Sequence, residues 1–190
     1  MKQIYKLVLA ALACVVLIGC AHPINMKPDL DRVNAFSAKR INKQVGYHMS
    51  EANLALEVIT PGGGGDKVRY FPYLDMEPGF YKALSEVFSN VSKIKNPKDA
   101  EEMRKSGVAI LIVPEISTTS SSPSLFTWPP TQFTITLAGT ITDATGQLVR
   151  KFSVTGEGKA EFDEFRGNFS LSATRASNDV FAKLMKELGE

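Results

Sequence analysis

The chain has 190 residues, with 22 lysines and arginines against 20 aspartates and glutamates, a formal net charge of +2, and 44% hydrophobic residues. This length suits one domain with a real core, and the composition excludes a collagen-like, coiled-coil or wholly disordered chain. The near-neutral charge argues against a nucleic-acid-binding protein, which normally carries a strong basic excess.

The amino-terminal residues predict an export signal. Lys2 and Lys6 precede an uninterrupted apolar run over residues 7–18. A membrane-spanning helix needs roughly 20 apolar residues, so this shorter run is typical of a signal-peptide core. The run leads directly into the motif Leu17-Ile18-Gly19-Cys20.

This motif resembles the lipobox of bacterial lipoproteins. The resemblance implies cleavage before Cys20, a diacylglyceryl group on its sulfur and acylation of the new amino terminus, which together exceed the two signals needed for stable anchoring. Ala21 follows where an aspartate would favour retention in the inner membrane. In a diderm host we therefore expect a lipid anchor in the outer membrane, on its periplasmic face. The alternative is an ordinary secretory signal in which Cys20 is incidental.

The chain after the motif predicts a tether and then a single domain. Residues 20–43 mix Pro, Asn and both charge signs without a sustained period, as in a flexible linker. We therefore assign 1–19 to a cleaved signal, 20–43 to the lipidated cysteine with its flexible tether, and 44–190 to one domain. Because Cys14 leaves with the signal and Cys20 carries lipid, no thiol is left for a disulfide or a nucleophile.

The first half of the domain predicts strands followed by a helix. Apolar alternation indicates strands at 45–49 and 54–58, with extended chain again at 68–73. Pro78 suits the first turn of a helix whose apolar face continues to Val91.

A run of four glycines, Gly62 to Gly65, lies between the predicted extended segments. It is interpreted as a flexible connection, because Val68 stands where a phosphate-binding loop needs Ser or Thr.

The second half predicts a buried strand, a hairpin and a helix. Residues 108–113 are apolar on both faces, 133–142 and 148–154 alternate around a turn, and 170–188 carry one apolar helical face. Together the elements predict an α+β fold: a two-layer sandwich with a mixed or antiparallel sheet and a C-terminal hairpin, covered on one face by two helices.

One loop is the candidate partner-binding site. It consists of Leu125, Phe126, Trp128, Pro129 and Pro130, and it contains the single tryptophan of the chain. Rigid aromatic side chains on a loop are the residues that form binding hot spots. The alternative is that Phe126 and Trp128 fold back as a lid over the end of the sheet, because an isolated exposed Trp is costly.

Catalytic patterns are weak in this sequence. His22 and His48 have no cysteine or second domain histidine to work with. An acidic cluster after the hairpin is interpreted as a solvated connection rather than a catalytic carboxylate pair; its members are Glu157, Glu161, Asp163 and Glu164. We therefore expect no enzyme, no metal site and no cofactor.

The order of lipobox, tether, strands, helix and hairpin resembles small envelope lipoproteins of the YajG type. The resemblance implies a non-enzymatic accessory role, with the membrane held through the lipid and an envelope protein as partner. The alternative is an auxiliary lipoprotein of an envelope transport system that binds a lipid, glycan or other small ligand. Likeness of plan carries no catalytic residue across.

Overall fold

The structure is a computed structural model that describes residues 21–34 and 40–190. Short 3-10 helices occur at Leu30–Arg32 and Phe162–Phe165. The strands and α-helices are, in chain order, β1 (Ala21–Pro23), β2 (Ile41–Tyr47), α1 (Glu51–Leu54), β3 (Val58–Pro61), β4 (Lys67–Tyr70), α2 (Pro72–Val87), β5 (Phe88–Lys93), α3 (Ala100–Lys105), β6 (Ile110–Ser121), β7 (Gln132–Asp143), β8 (Leu148–Lys159) and α4 (Leu171–Gly189).

The central sheet has five strands in the order β5-β2-β6-β7-β8. Strand β2 pairs in parallel with both β5 and β6, whereas β6, β7 and β8 pair antiparallel. Apolar residues at odd positions of β7, such as Phe133, Ile135 and Leu137, are buried, and the intervening threonines are half-buried. This period of two sends one face of the strand into the core.

Helices α2 and α4 lie side by side on that apolar face. Phe80 and Leu84 of α2 and Val180, Phe181 and Leu184 of α4 are fully buried in one core cluster with the sheet residues. The α+β fold class is confirmed: the sheet is mixed, it ends in the β7–β8 hairpin, and two helices cover one face.

A second, three-stranded sheet in the order β1-β4-β3 involves the amino-terminal segment. Met26 and Val33 are buried in the main core. The Met26 N–H donates to Asp75 Oδ2 at 3.0 Å, and its carbonyl accepts from Ser177 Oγ at 2.6 Å. The structure therefore differs from the flexible tether expected at 20–43, because residues 21–33 are part of the fold.

Local boundaries also differ from those predicted. The strand expected at 54–58 is helix α1 followed by β3, because Ser50 Oγ accepts the Asn53 N–H and caps a helical turn. Helix α2 begins at Pro72, so Pro78 lies inside it rather than in its first turn. It ends at Val87, and Val91 belongs to β5; the Ser and Asn residues there are poor helix formers.

Candidate functional site

Two loops at one end of the main sheet bring apolar side chains together. Gln132 at the start of β7 pairs with Lys159 at the end of β8, so the loop before β7 and the segment after β8 leave the sheet side by side. Five aromatic side chains line one pocket there, and with Leu125, which precedes Phe126 in the chain, they are called the aromatic surface: Leu125, Phe126, Trp128, Phe162, Phe165 and Phe169.

The outer residues of the aromatic surface are unusually accessible. Phe126 is 95% exposed, Leu125 80% and Phe162 70%, whereas Phe165 is buried at the base. Between them is a shallow pocket of about 180 Å³. Single exposed apolar residues are common on soluble proteins, but a contiguous group marks a binding surface.

Trp128 has a different environment from Phe126. Its ring stacks on His22, with centroids 4.3 Å apart and planes 18° apart, and Phe169 lies on it at 4.9 Å. It also packs against the main core. The structure therefore divides the predicted loop, with Trp128 acting as a lid over the end of the sheet while Leu125 and Phe126 project into solvent.

The rest of the candidate loop is held firmly. Pro129 and Pro130 are buried, and the Pro130 carbonyl accepts from Ser172 Oγ of α4 at 2.6 Å. At the tip, Ser124 Oγ accepts the N–H groups of Phe126 and Thr127, both at 3.2 Å. The N–H group of Phe126 and that of the residue after it thus already have a partner within the loop.

The glycine run at 62–65 binds the backbone of this loop. Gly63 N–H donates to the Trp128 carbonyl and Gly64 N–H to the Ser124 carbonyl, both at 2.8 Å. A Cβ at Gly63 would overlap the Thr127 carbonyl oxygen. The predicted connection between strands is confirmed, with β4 and not a helix following it; its glycines permit the two backbones to touch.

An ion pair holds the second segment of the surface. Arg175 of α4 donates to both carboxylate oxygens of Glu164, at 2.7 and 3.0 Å, and Glu164 also accepts the Glu161 N–H at 2.8 Å. These donors lower the pKa of Glu164 to about 2, with the Arg175 hydrogen bonds the larger cause. The acidic cluster thus contributes a structural clamp for the 3-10 helix that carries Phe162 and Phe165.

This clamp predicts an acid-sensitive step in stability. Because the folded pKa of Glu164 lies below the ordinary value of 4.5, its contribution is complete above about pH 4.5 and is lost as pH falls towards 2. We expect Glu164→Gln to lower the melting temperature at pH 7 and to flatten its fall between pH 4.5 and 2. Circular dichroism melts measure this; Glu157→Gln, an exposed carboxylate of β8, is the control. If the melting temperature falls equally steeply between pH 4.5 and 2 in the wild type, Glu164→Gln and Glu157→Gln, the ion pair does not act as a clamp.

The sequence does not predict His22 or three of the phenylalanines as part of the site. It predicts His22 in the tether, and it gives no role to Phe162, Phe165 and Phe169 beside the acidic cluster. The spacing of these three phenylalanines was the available signal. No sequence signal indicates the contact of His22 with Trp128, because the two residues are 106 positions apart.

Other predicted features lie outside this surface. Cys20 and the lipobox precede the described residues, so lipid attachment stays a prediction. Within residues 21–34 and 40–190, no group of three or more His, Cys, Asp or Glu side chains is placed to hold a metal ion. No helix in that part of the chain is long and apolar enough to cross a membrane.

Comparison with solved structures reveals similar folds at very low sequence identity. A Xanthomonas campestris protein of the family DUF330 matches with a TM-score of 0.52 and 9% identity over 89% of this chain and 90% of that chain. The PelC dodecamer protein of Paraburkholderia phytofirmans matches with a TM-score of 0.49 and 10% identity, over 82% of this chain and 94% of that chain. A minor lipoprotein of Acinetobacter baumannii matches with a TM-score of 0.40 and 12% identity, over 80% of this chain and 90% of that chain.

At such identities the score above 0.5 supports a shared fold alone, and the two lower scores support no further argument. No protein-family model matches the chain, and no curated protein matches it in sequence.

Proposed function

We propose that this chain is a lipid-anchored accessory module of the bacterial envelope, facing the periplasm, that works by docking and not by catalysis. The observation that carries the proposal is the aromatic surface beside the first described strand. Its outer side chains are exposed, its loop backbone is held by hydrogen bonds, and it lies next to the segment that follows Cys20.

The ionisable groups with shifted pKa values support this role because they have structural partners. Glu164 is clamped by Arg175, and burial raises the pKa of Asp75, which accepts the Met26 N–H. Burial and the neighbouring Glu77 raise the pKa of Tyr47. The Tyr47 hydroxyl, at the end of β2, donates to the Glu77 carboxylate of α2 at 3.2 Å. Each of these groups fastens one element to another.

The alternative function, binding of a lipid, glycan or other small ligand between sheet and helices, has less support. In the described part of the chain, buried side chains of β7, α2 and α4 fill that space. The pocket on the aromatic surface, about 180 Å³, is smaller than the roughly 300–1,000 Å³ of typical ligand pockets. A larger depression, about 470 Å³, falls within that range, but it lies away from the aromatic surface, beside Glu115, Lys151 and Glu187. We therefore propose contact with an envelope protein and the membrane as the mode of action.

Replacement of Cys20 tests the anchor. We expect Cys20→Ser to abolish labelling by a radioactive fatty acid and to accumulate the unprocessed precursor, because the serine hydroxyl cannot replace the Cys20 sulfur in a thioether. Gel electrophoresis of labelled cells measures both. The matched control is Cys14→Ser, which changes the other cysteine, inside the apolar run, and should be processed normally. Normal processing of Cys20→Ser would refute the lipoprotein assignment.

A further inference from the structure

The aromatic surface lies beside strand β1, whose first residue directly follows the proposed lipid attachment site in the chain. We infer that this surface inserts into the head-group region of the bilayer that holds the lipid on Cys20. The inference rests on the proposed anchor and names the occupant of the surface: a phospholipid bilayer, leaving the sheet edges for the protein partner.

The covalent chain limits how far the lipid can lie from the surface. Consecutive Cα atoms are 3.8 Å apart, so the Cα of Cys20 lies within about 8 Å of that of His22. The His22 ring stacks on Trp128 at 4.3 Å. Strand β1 is itself fixed, since Ala21, His22 and Pro23 pair in parallel with Lys67, Val68 and Arg69. The acyl chains would therefore begin beside the aromatic surface, without a slack linker between.

The exposed side chains are of the kind that enter a membrane interface. Phe and Leu on the apolar side of interfacial segments lie about 5–10 Å into the head-group and acyl boundary. Phe126 and Phe162 come from separate segments and line one pocket, and the exposed Leu125 precedes Phe126 in the chain. The Ser124 hydroxyl satisfies two N–H groups of the tip, which lowers the cost of moving that backbone out of water.

A bilayer fits this surface better than a protein does. With the anchor two residues before His22, which stacks on Trp128, a protein partner covering Phe126 would have to lie between the domain and its own membrane. The charged residues next to these segments balance, because Asp66 is followed by Lys67, and Asp163 is close in sequence to Arg166. They therefore do not favour a strongly charged partner. Insertion should therefore depend on apolar area and respond little to salt.

Trp128 supplies the probe, because it is the single tryptophan in the chain. The full lipidated protein is purified in detergent and reconstituted into phosphatidylcholine vesicles with or without bromine on the upper acyl chain. Bromine quenches only indoles that approach it, and the ratio of the two fluorescence intensities measures that approach. We expect strong quenching of the wild type, unchanged between low and high salt.

Paired variants separate insertion from mere proximity. In the double variant Phe126→Ser/Phe162→Ser, quenching of Trp128 should be about threefold weaker or more, since the variant removes the apolar area that drives insertion. The control, Leu148→Ser/Val149→Ser, also changes two exposed apolar residues, which are 52% and 58% exposed. They lie at the other end of the hairpin, roughly 35 Å away at 3.3 Å per residue, and this variant should quench like the wild type. Circular dichroism confirms that both variants are folded.

Two results would overturn the inference. One is a wild type with lipid on Cys20, shown by mass spectrometry, whose Trp128 is not quenched. The other is quenching that the Phe126/Phe162 variant leaves unchanged, including the case where that variant instead dissociates a dimer seen by sedimentation. If mass spectrometry finds no lipid while added vesicles still quench Trp128, the anchor fails and the membrane contact stands.

Discussion

Replacing Gly158 by alanine is expected to destabilise the fold by about 3 kcal/mol, at the upper end of what overpacking costs. Gly158 faces α4 from β8, and a Cβ there would overlap the Ser172 carbonyl oxygen and the Ala176 nitrogen. Two residues earlier, a Cβ at Gly156 would lie 2.5 Å from both the Ala176 carbonyl oxygen and the Val180 nitrogen. These neighbours are backbone atoms, so the helix can make room only by moving as a whole.

Urea unfolding followed by circular dichroism measures this loss. The matched control is Gly189→Ala, at the end of the same helix, where an added Cβ meets nothing within 4 Å. That control should change the free energy of unfolding by less than about 0.5 kcal/mol. A Gly158→Ala protein as stable as its control would mean that α4 does not lie in backbone contact with β8.

Replacing Trp128 by alanine is expected to cost about 2–3 kcal/mol, somewhat below the 3–5 kcal/mol of a fully buried aromatic. The substitution removes the ring that contacts His22 and Phe169 and that packs on the core. It also releases β1 from its side-chain contact with the loop. Stability and attachment of the amino-terminal segment should therefore fall together.

Phe126→Ala is the control for Trp128, because the two residues share a loop but Phe126 is 95% exposed. Its free energy of unfolding should stay within about 0.5 kcal/mol of the wild type. Thermal melts by circular dichroism suit both variants. If Trp128→Ala melts like Phe126→Ala, the tryptophan is not a lid, and it joins Phe126 as a residue available for binding.

Periodicity predicted the elements that depend on near neighbours. Alternation over 133–142 and 148–154 identified the hairpin, and the apolar face of 170–188 identified α4, because each pattern repeats within a single element. The polar strand end at 117–121 was missed, since its Ser and Thr residues pair with β7 through backbone groups that composition does not reveal.

The amino-terminal segment shows why local patterns were insufficient. Residues 21–26 have a few apolar positions and no period, so they look like a linker. Their order comes from β4, which supplies backbone partners for β1, and from Asp75 of α2 and Ser177 of α4, which supply side-chain partners for Met26. The candidate loop was identified by its aromatic content, but the division between Trp128 and Phe126 depends on His22 and Phe169, which only the fold brings near.

The hydrogen bonds that lock this segment also set the timing of assembly. Asn25 pairs with Ser170, and Met26 with Ser177, across separations of 145 and 151 residues. A chain that emerges amino terminus first therefore cannot bury Met26 until its last helix has arrived. Until then the segment that follows Cys20 lacks the side-chain partners that fix it. Late closure would thus leave time for the lipid attachment proposed for Cys20 to precede the docking of this segment onto the domain.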